Sequence, residues 1–138
     1  IDRFVVELAP DWGDGYNNVT ICCTCENQTM ADFRLPIFLE LPIKHKEIIC
    51  EPLLENINLE KYLTPAIKSV SVGGESGKYA RLCRHEWVLS IREQCLRQHT
   101  NFCFRQTGAR FEKDGRTYII PRNKQHKQAI KAGINLYF

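Results

Sequence analysis

The residues of this 138-residue chain best suited to chemistry are its seven cysteines and four histidines. Cys22-x-x-Cys25 closes an apolar, β-branched run and leads into the polar Glu26-Asn27. In such a knuckle two thiolates face one cation, and backbone N–H groups offset their charge. A second set reads Cys95-x3-His99-x3-Cys103. Cys95 and His99 are four residues apart and share one face if the chain is helical there, and Cys103 follows the expected helix end. Cys22, Cys25, Cys95, His99 and Cys103 are therefore the candidate ligands of a structural zinc, with Cys50 or His126 available to complete a shell. Cys83 and Cys95 cannot share a metal, being about 18 Å apart along a continuous helix.

Two other fates of the cysteines stay open. Cysteines on the apolar face beside Trp87 and Ile91 serve equally well as small core residues. Disulfides are the remaining reading, and Cys95 to Cys103 would be a local bridge. Asn18-Val19-Thr20 and Asn27-Gln28-Thr29 match the glycosylation acceptor pattern and support that reading. The alternative to a zinc-stabilised domain is thus a secreted, disulfide-bonded glycoprotein ligand or receptor domain that binds a protein partner.

Charge points to the C-terminal half. Residues 1–77 hold 6 Lys/Arg and 12 Asp/Glu, whereas residues 78–138 hold 13 and 4. Phe102, Phe104, Phe111 and Tyr118 interleave there with Arg105, Arg110, Arg116, Arg122, Lys124, Lys127 and Lys131. Cations hold phosphates and aromatic rings stack on bases, so this mixture suits nucleic acid, single strands or RNA above all. A hairpin with phenylalanines inside and arginines outside accounts for the same pattern without a ligand.

Catalytic signatures are missing: there is no G-x-S-x-G, no H-E-x-x-H and no G-x-x-x-x-G-K-[ST]. The expectation is a non-enzymatic binding domain. No apolar run approaches the roughly 18 residues that a membrane helix needs. No charged-then-apolar leader opens the chain, so a signal peptide is expected to be absent or trimmed. The zinc and nucleic-acid reading implies a nuclear or cytoplasmic protein, the disulfide reading a secreted one.

The elements that must position these residues read as one domain over 1–138. Phe4–Leu8, Val19–Cys25, Phe33–Leu41, Glu47–Cys50 and Ser69–Val72 read as strands. Residues 51–68 read as a shorter helical segment, and about 78–99 as one long central helix with apolar stripes on two sides. Gly73–Gly77 reads as a linker. Residues 101–105 and 109–120 read as a hairpin turning near Gln106-Thr107-Gly108, with a second turn at Lys113-Asp114-Gly115. A basic helix from about Asn123 and a last strand near Ile134–Phe138 complete the chain. This order predicts an α+β fold with a mainly antiparallel sheet.

Overall fold

The computed structural model describes residues 7–138. The strand expected at Phe4–Leu8 falls largely outside the described residues. The β-branched run before the knuckle forms β1 (Thr20–Thr24). Asn27 then caps a helix, its Oδ1 accepting the Met30 amide at 2.8 Å. This helix, α1 (Gln28–Glu40), occupies the segment read as a third strand. Ala31, Leu35 and Phe38 are buried while Phe33 is 63% exposed and Ile37 36%. Apolar side chains therefore surround the helix and hide its period. Pro36 sits within it and does not end it.

β2 (His45–Cys50) and β3 (Ile67–Gly73) follow. The chain between them is not helical, apart from a single 3-10 turn at Glu60–Tyr62. Leu53, Ile57, Leu59, Tyr62 and Leu63 are all buried, but at spacings that fit no helical face. A buried glutamine from a later helix holds this crossover in place. The Leu59 amide donates to Gln94 Oε1 at 2.6 Å, and Gln94 Nε2 donates to the Ile57 carbonyl at 2.9 Å.

The expected long central helix is shorter. Cys83–Arg84 forms the two-residue strand β4, and α2 runs from His85 to Gln98. His99 ends it in the left-handed region, at φ 52°. β5 (Asn101–Gln106), β6 (Arg110–Lys113), β7 (Arg116–Ile119) and α3 (Arg122–Ala132) complete the elements. With 13, 14 and 11 residues, none of the three described helices is dominant. None is long and apolar enough to cross a membrane.

The main sheet has the order β1-β2-β3-β5, and every pairing in it is parallel. This overturns the antiparallel expectation. Parallel neighbours need long crossovers; α1 supplies one between β1 and β2, and α2 another between β3 and β5. The smaller sheet, β4-β6-β7, pairs β4 with β6 in parallel and β6 with β7 as a hairpin. The hairpin turns at the second expected position, where Asp114 (φ 53°) and Gly115 (φ 77°) both adopt the left-handed region. β5, expected as a hairpin arm, belongs to the parallel sheet. The expected last strand is a single antiparallel bridge, Phe102 to Leu136.

One face of the main sheet carries the core. Ile48, Cys50, Val70, Val72, Phe102 and Phe104 point into it and meet Leu35 and Phe38 of α1, Val88 and Ile91 of α2 and Ala129 of α3. Gly73–Gly77 is no linker. It ends β3 and is bonded to the loop after β5 through Gly74 N–Gln106 O (3.2 Å) and Ala109 N–Glu75 O (2.8 Å).

Candidate functional site

Parallel sheets are usually covered on both faces. Here the face opposite the core is polar. Strand alternation puts Cys22, Glu47, Ser69 and Asn101 in one row across the four strands, and Thr24, Ile49, Ser71 and Cys103 in the next. All eight are partly or fully exposed. His45 and Lys68 meet through a ring nitrogen and the ammonium nearer the start of the strands.

The charges concentrate at the carboxyl ends of the strands. Glu26 lies just past β1, Glu51 just past β2 and Glu75 two residues past β3. Each faces an arginine. Arg34 of α1 reaches Glu26 at 2.7 Å and also donates to the Thr24 carbonyl at 2.6 Å. Arg81 grips Glu75 with two side-chain bonds of 2.7 and 3.0 Å, and its own amide adds a third at 3.0 Å. Those bonds hold the Glu75 carboxyl down at about 2, far below the usual range.

Glu51 is the most deliberately placed of the three. Gln106 Nε2 donates to its Oε1 at 2.6 Å and to the Gly74 carbonyl at 3.0 Å, while Gln106 Oε1 accepts the Gly108 amide at 3.1 Å. The glutamine amide is thereby fixed in one orientation. Its partner oxygen, Glu51 Oε2, has Arg105 at 3.9 Å. Beneath the carboxylate lies Gly73: a Cβ there would come within 2.8 Å of the Glu51 carboxyl carbon. Gly108, at φ 77°, lets the loop after β5 pass against the one after β3, where a Cβ would meet the Glu75 amide at 2.8 Å.

A groove of about 780 Å³ opens beside this edge. Phe33, Phe38, Leu54 and Pro52 give it an apolar wall, and Glu26, Arg34 and Arg81 line its polar part. The arrangement offers fixed carboxylates and fixed guanidinium groups a few ångströms apart, next to an apolar surface. It can hold a molecule that carries both signs of charge.

The five candidate zinc ligands are divided between the two sides of the sheet. Cys22 is exposed on the polar face, 4.0 Å from Glu47. Cys103 is half-buried on that face but on the strand at the other side of the sheet. Cys25 is buried with its sulfur 4.0 Å from that of Cys23. Cys95 lies in the core, where burial pushes its thiol up to about 12. His99 caps α2 and stacks on Phe138 at 5.1 Å. Among the described residues no group of three or more His, Cys, Asp or Glu side chains is placed to hold a metal ion. All seven cysteines are unpaired.

The seven basic candidates are also divided. Arg105 belongs to the carboxyl edge, beside Glu51. Arg110 and Arg116 lie exposed on the β6–β7 hairpin, and Arg122, Lys124, Lys127 and Lys131 lie exposed on α3. A second groove, of about 580 Å³, runs between that hairpin and α3. Lys113, Lys124 and Lys131 line it, together with His85, Phe111 and Tyr118. Phe111 stacks on Phe104 at 5.9 Å and meets the His85 ring edge-on at 6.0 Å. Burial, with the charge of Lys113, lowers the His85 pKa.

Sequence reasoning missed Glu26, Glu51, Glu75, Arg34, Arg81 and Gln106. A signal was present: each glutamate follows an apolar or glycine-ended run by one or two residues. It becomes legible only when those runs are known to be parallel, because only then do their ends meet.

Residues 2–135 match a family model described as "Protein of unknown function (DUF5131)". No curated protein and no solved structure matches the chain.

Proposed function

The chain belongs to the DUF5131 family, and we propose from its own geometry that it binds a small zwitterionic molecule at the carboxyl edge of the parallel sheet. One observation carries this reading. An all-parallel sheet leaves one face polar, and Glu26, Glu51 and Glu75 with Arg34, Arg105 and Arg81 gather at its carboxyl edge. Open parallel sheets bind ligands outside the carboxyl ends of their strands, where loops converge and helix and strand ends supply polar groups.

Glu51 Oε2 is the natural acceptor for an ammonium group. Arg105 and Arg81 are the natural donors to a carboxylate, since a guanidinium fork matches its two oxygens. The apolar wall of Phe33, Phe38 and Leu54 would take the body of the ligand. The expectation of a binding domain is kept; the ligand at this edge becomes a small molecule.

The test is thermal stabilisation by free amino acids and by larger metabolites that carry an amino-acid group, followed by titration calorimetry of any that shift the midpoint. Glu51→Gln removes the charge and keeps the shape. It should weaken binding by about 10–100-fold, the value of one charged hydrogen bond of about 1.5–3 kcal/mol. Glu60→Gln, which breaks the remote Glu60–Arg97 pair (2.8 Å), should leave binding unchanged. Equal affinity in the Glu51→Gln and wild-type proteins, or no stabilisation by any zwitterion, would sink the reading.

A further inference from the structure

The groove between the hairpin and α3 has a character of its own. Lys124, Gln128 and Lys131 follow one another at spacings of four and three, so they form one stripe along α3. A second stripe, Gln125 and Ala129, is buried and anchors the helix. Gln125 is clamped at both ends: Nε2 donates to the Ile120 carbonyl at 3.0 Å, and Oε1 accepts from Ser76 at 2.8 Å. The lysine stripe is thus presented by a fixed helix. Lys113 faces it from β6.

None of these three lysines forms an ion pair among the described residues. The nearby acid Glu112 is engaged by Arg84 at 3.1 Å. The wall between the lysines is aromatic and apolar. Phe111 and Tyr118 are register partners and so share one face of the hairpin. Phe111 is buried beneath; Tyr118 is 44% exposed and Ile119 73%. Every residue of β7 is exposed.

A cationic rim over an exposed ring is the arrangement that holds phosphates and stacks a base. The volume fits one nucleotide-sized unit. The positive band continues past the groove to Arg116 on β7 and to Lys127 on α3, again without ion pairs among the described residues. A ligand that uses the whole band is a strand longer than one nucleotide. We propose that this face binds single-stranded nucleic acid, with a base against Tyr118 and successive phosphates along Lys113, Lys124 and Lys131. It is independent of the carboxyl-edge site, which lies at the ends of β1, β2 and β3.

Fluorescence anisotropy with labelled 12-nucleotide RNA and DNA strands tests it. Binding should be measurable at 50 mM NaCl and fall steeply by 200 mM, with a log–log slope of about −0.7 for each phosphate neutralised. The Lys124→Glu/Lys131→Glu double variant should bind at least 100-fold more weakly. Both side chains are exposed, and circular dichroism will show that the variant folds. Lys113→Ala, on the hairpin, gives an independent variant and should reduce the salt slope. Tyr118→Ala should weaken binding about 5–100-fold while leaving the slope unchanged, which separates stacking from charge. No binding at 50 mM NaCl, or equal binding by the double variant, overturns the proposal. So does duplex DNA or heparin binding as tightly as the single strand, or a mononucleotide displacing the strand at equal concentration.

Discussion

The carboxyl edge and the basic groove handle charge in opposite ways. At the edge every carboxylate named above has an arginine, and Glu51 is also held by an amide fixed at both ends. In the groove, Lys113, Lys124 and Lys131 line the wall with no ion pair among the described residues. Fixed, paired charges reward a ligand that matches their geometry, because little must be reordered on binding. Unpaired lysines on flexible stems attract from a distance, and salt weakens that attraction. The two proposals therefore call for different partners, one selected by shape at short range and one by charge along a surface.

The largest expected effect is on the scaffold that both regions share. Gln94 fills two buried backbone valences of the β2–β3 crossover, the Leu59 amide and the Ile57 carbonyl. Gln94→Leu keeps the volume and orphans both groups. At about 1–3 kcal/mol for each unsatisfied buried group, the loss should reach about 2–6 kcal/mol. Urea unfolding should show an earlier midpoint with an unchanged slope. A variant as stable as the wild type would mean that this crossover is not held by α2.

Gly73→Ala separates the two regions. The new Cβ would stand 2.8 Å from the Glu51 carboxyl carbon, so that carboxylate must swing away from Gln106. Binding of a zwitterion should fall about 10–100-fold, by loss of one charged hydrogen bond. Oligonucleotide binding should not change, since the new Cβ meets Glu51, which does not line the groove. If both activities fell together, the edge and the groove would be one site.

Glu75 sharpens the comparison through pH. Its bonds to Arg81 depress its carboxyl to about 2 in the folded protein, from an ordinary 4.5. A depressed carboxyl contributes stability above its unfolded pKa and loses it as pH falls through the folded one. The wild type should therefore lose stability between about pH 4.5 and 2 that Glu75→Gln does not lose, so the variant's stability profile should be flatter there. Parallel acid profiles for the two proteins would count against a persistent Glu75–Arg81 pair in solution.

How much of this could be read from the sequence depended on which forces are local. β1, the Lys113-Asp114-Gly115 turn and the body of α2 carry local signals: β-branching, left-handed turn residues and a helical stripe. The direction of the main sheet does not. Its strands alternate as His45-Lys46-Glu47-Ile48 does, polar outward and buried inward. That alternation is typical of antiparallel sheets, because parallel ones are normally covered on both faces. The unusual polar face therefore disguised the topology. α1 was hidden for the converse reason, with apolar residues on its buried and exposed sides alike. Of the site, the basic residues of the hairpin and α3 stood out as a charge run. The link from Glu51 to Gln106 spans 55 residues, and no spacing rule reaches that far. Spacing in a helix and a knuckle points to the zinc ligands, but strand alternation turns Cys22 and Cys25 to opposite sides.

The smallest expected effect concerns those thiols, and it probes the polar face directly. Cys22 is exposed, Cys23 and Cys103 are half-buried, and Cys25, Cys50, Cys83 and Cys95 are buried. A thiol reagent should therefore modify Cys22 first, Cys23 and Cys103 more slowly, and the other four only on unfolding. Partial burial and then the Glu47 carboxylate raise the Cys22 pKa, against a lowering by Arg105. Because the thiolate is the nucleophile, Glu47→Gln should lower that pKa and speed Cys22 modification a few-fold near pH 8. Arg105→Gln should slow it. Cys83, raised to about 12 by burial alone, should respond to neither change. If neither variant altered the rate at Cys22, the rows of the polar face would not be in electrostatic contact. Glu47 would then contribute nothing to the charge felt at Cys22, while the lysine groove would stand unaffected.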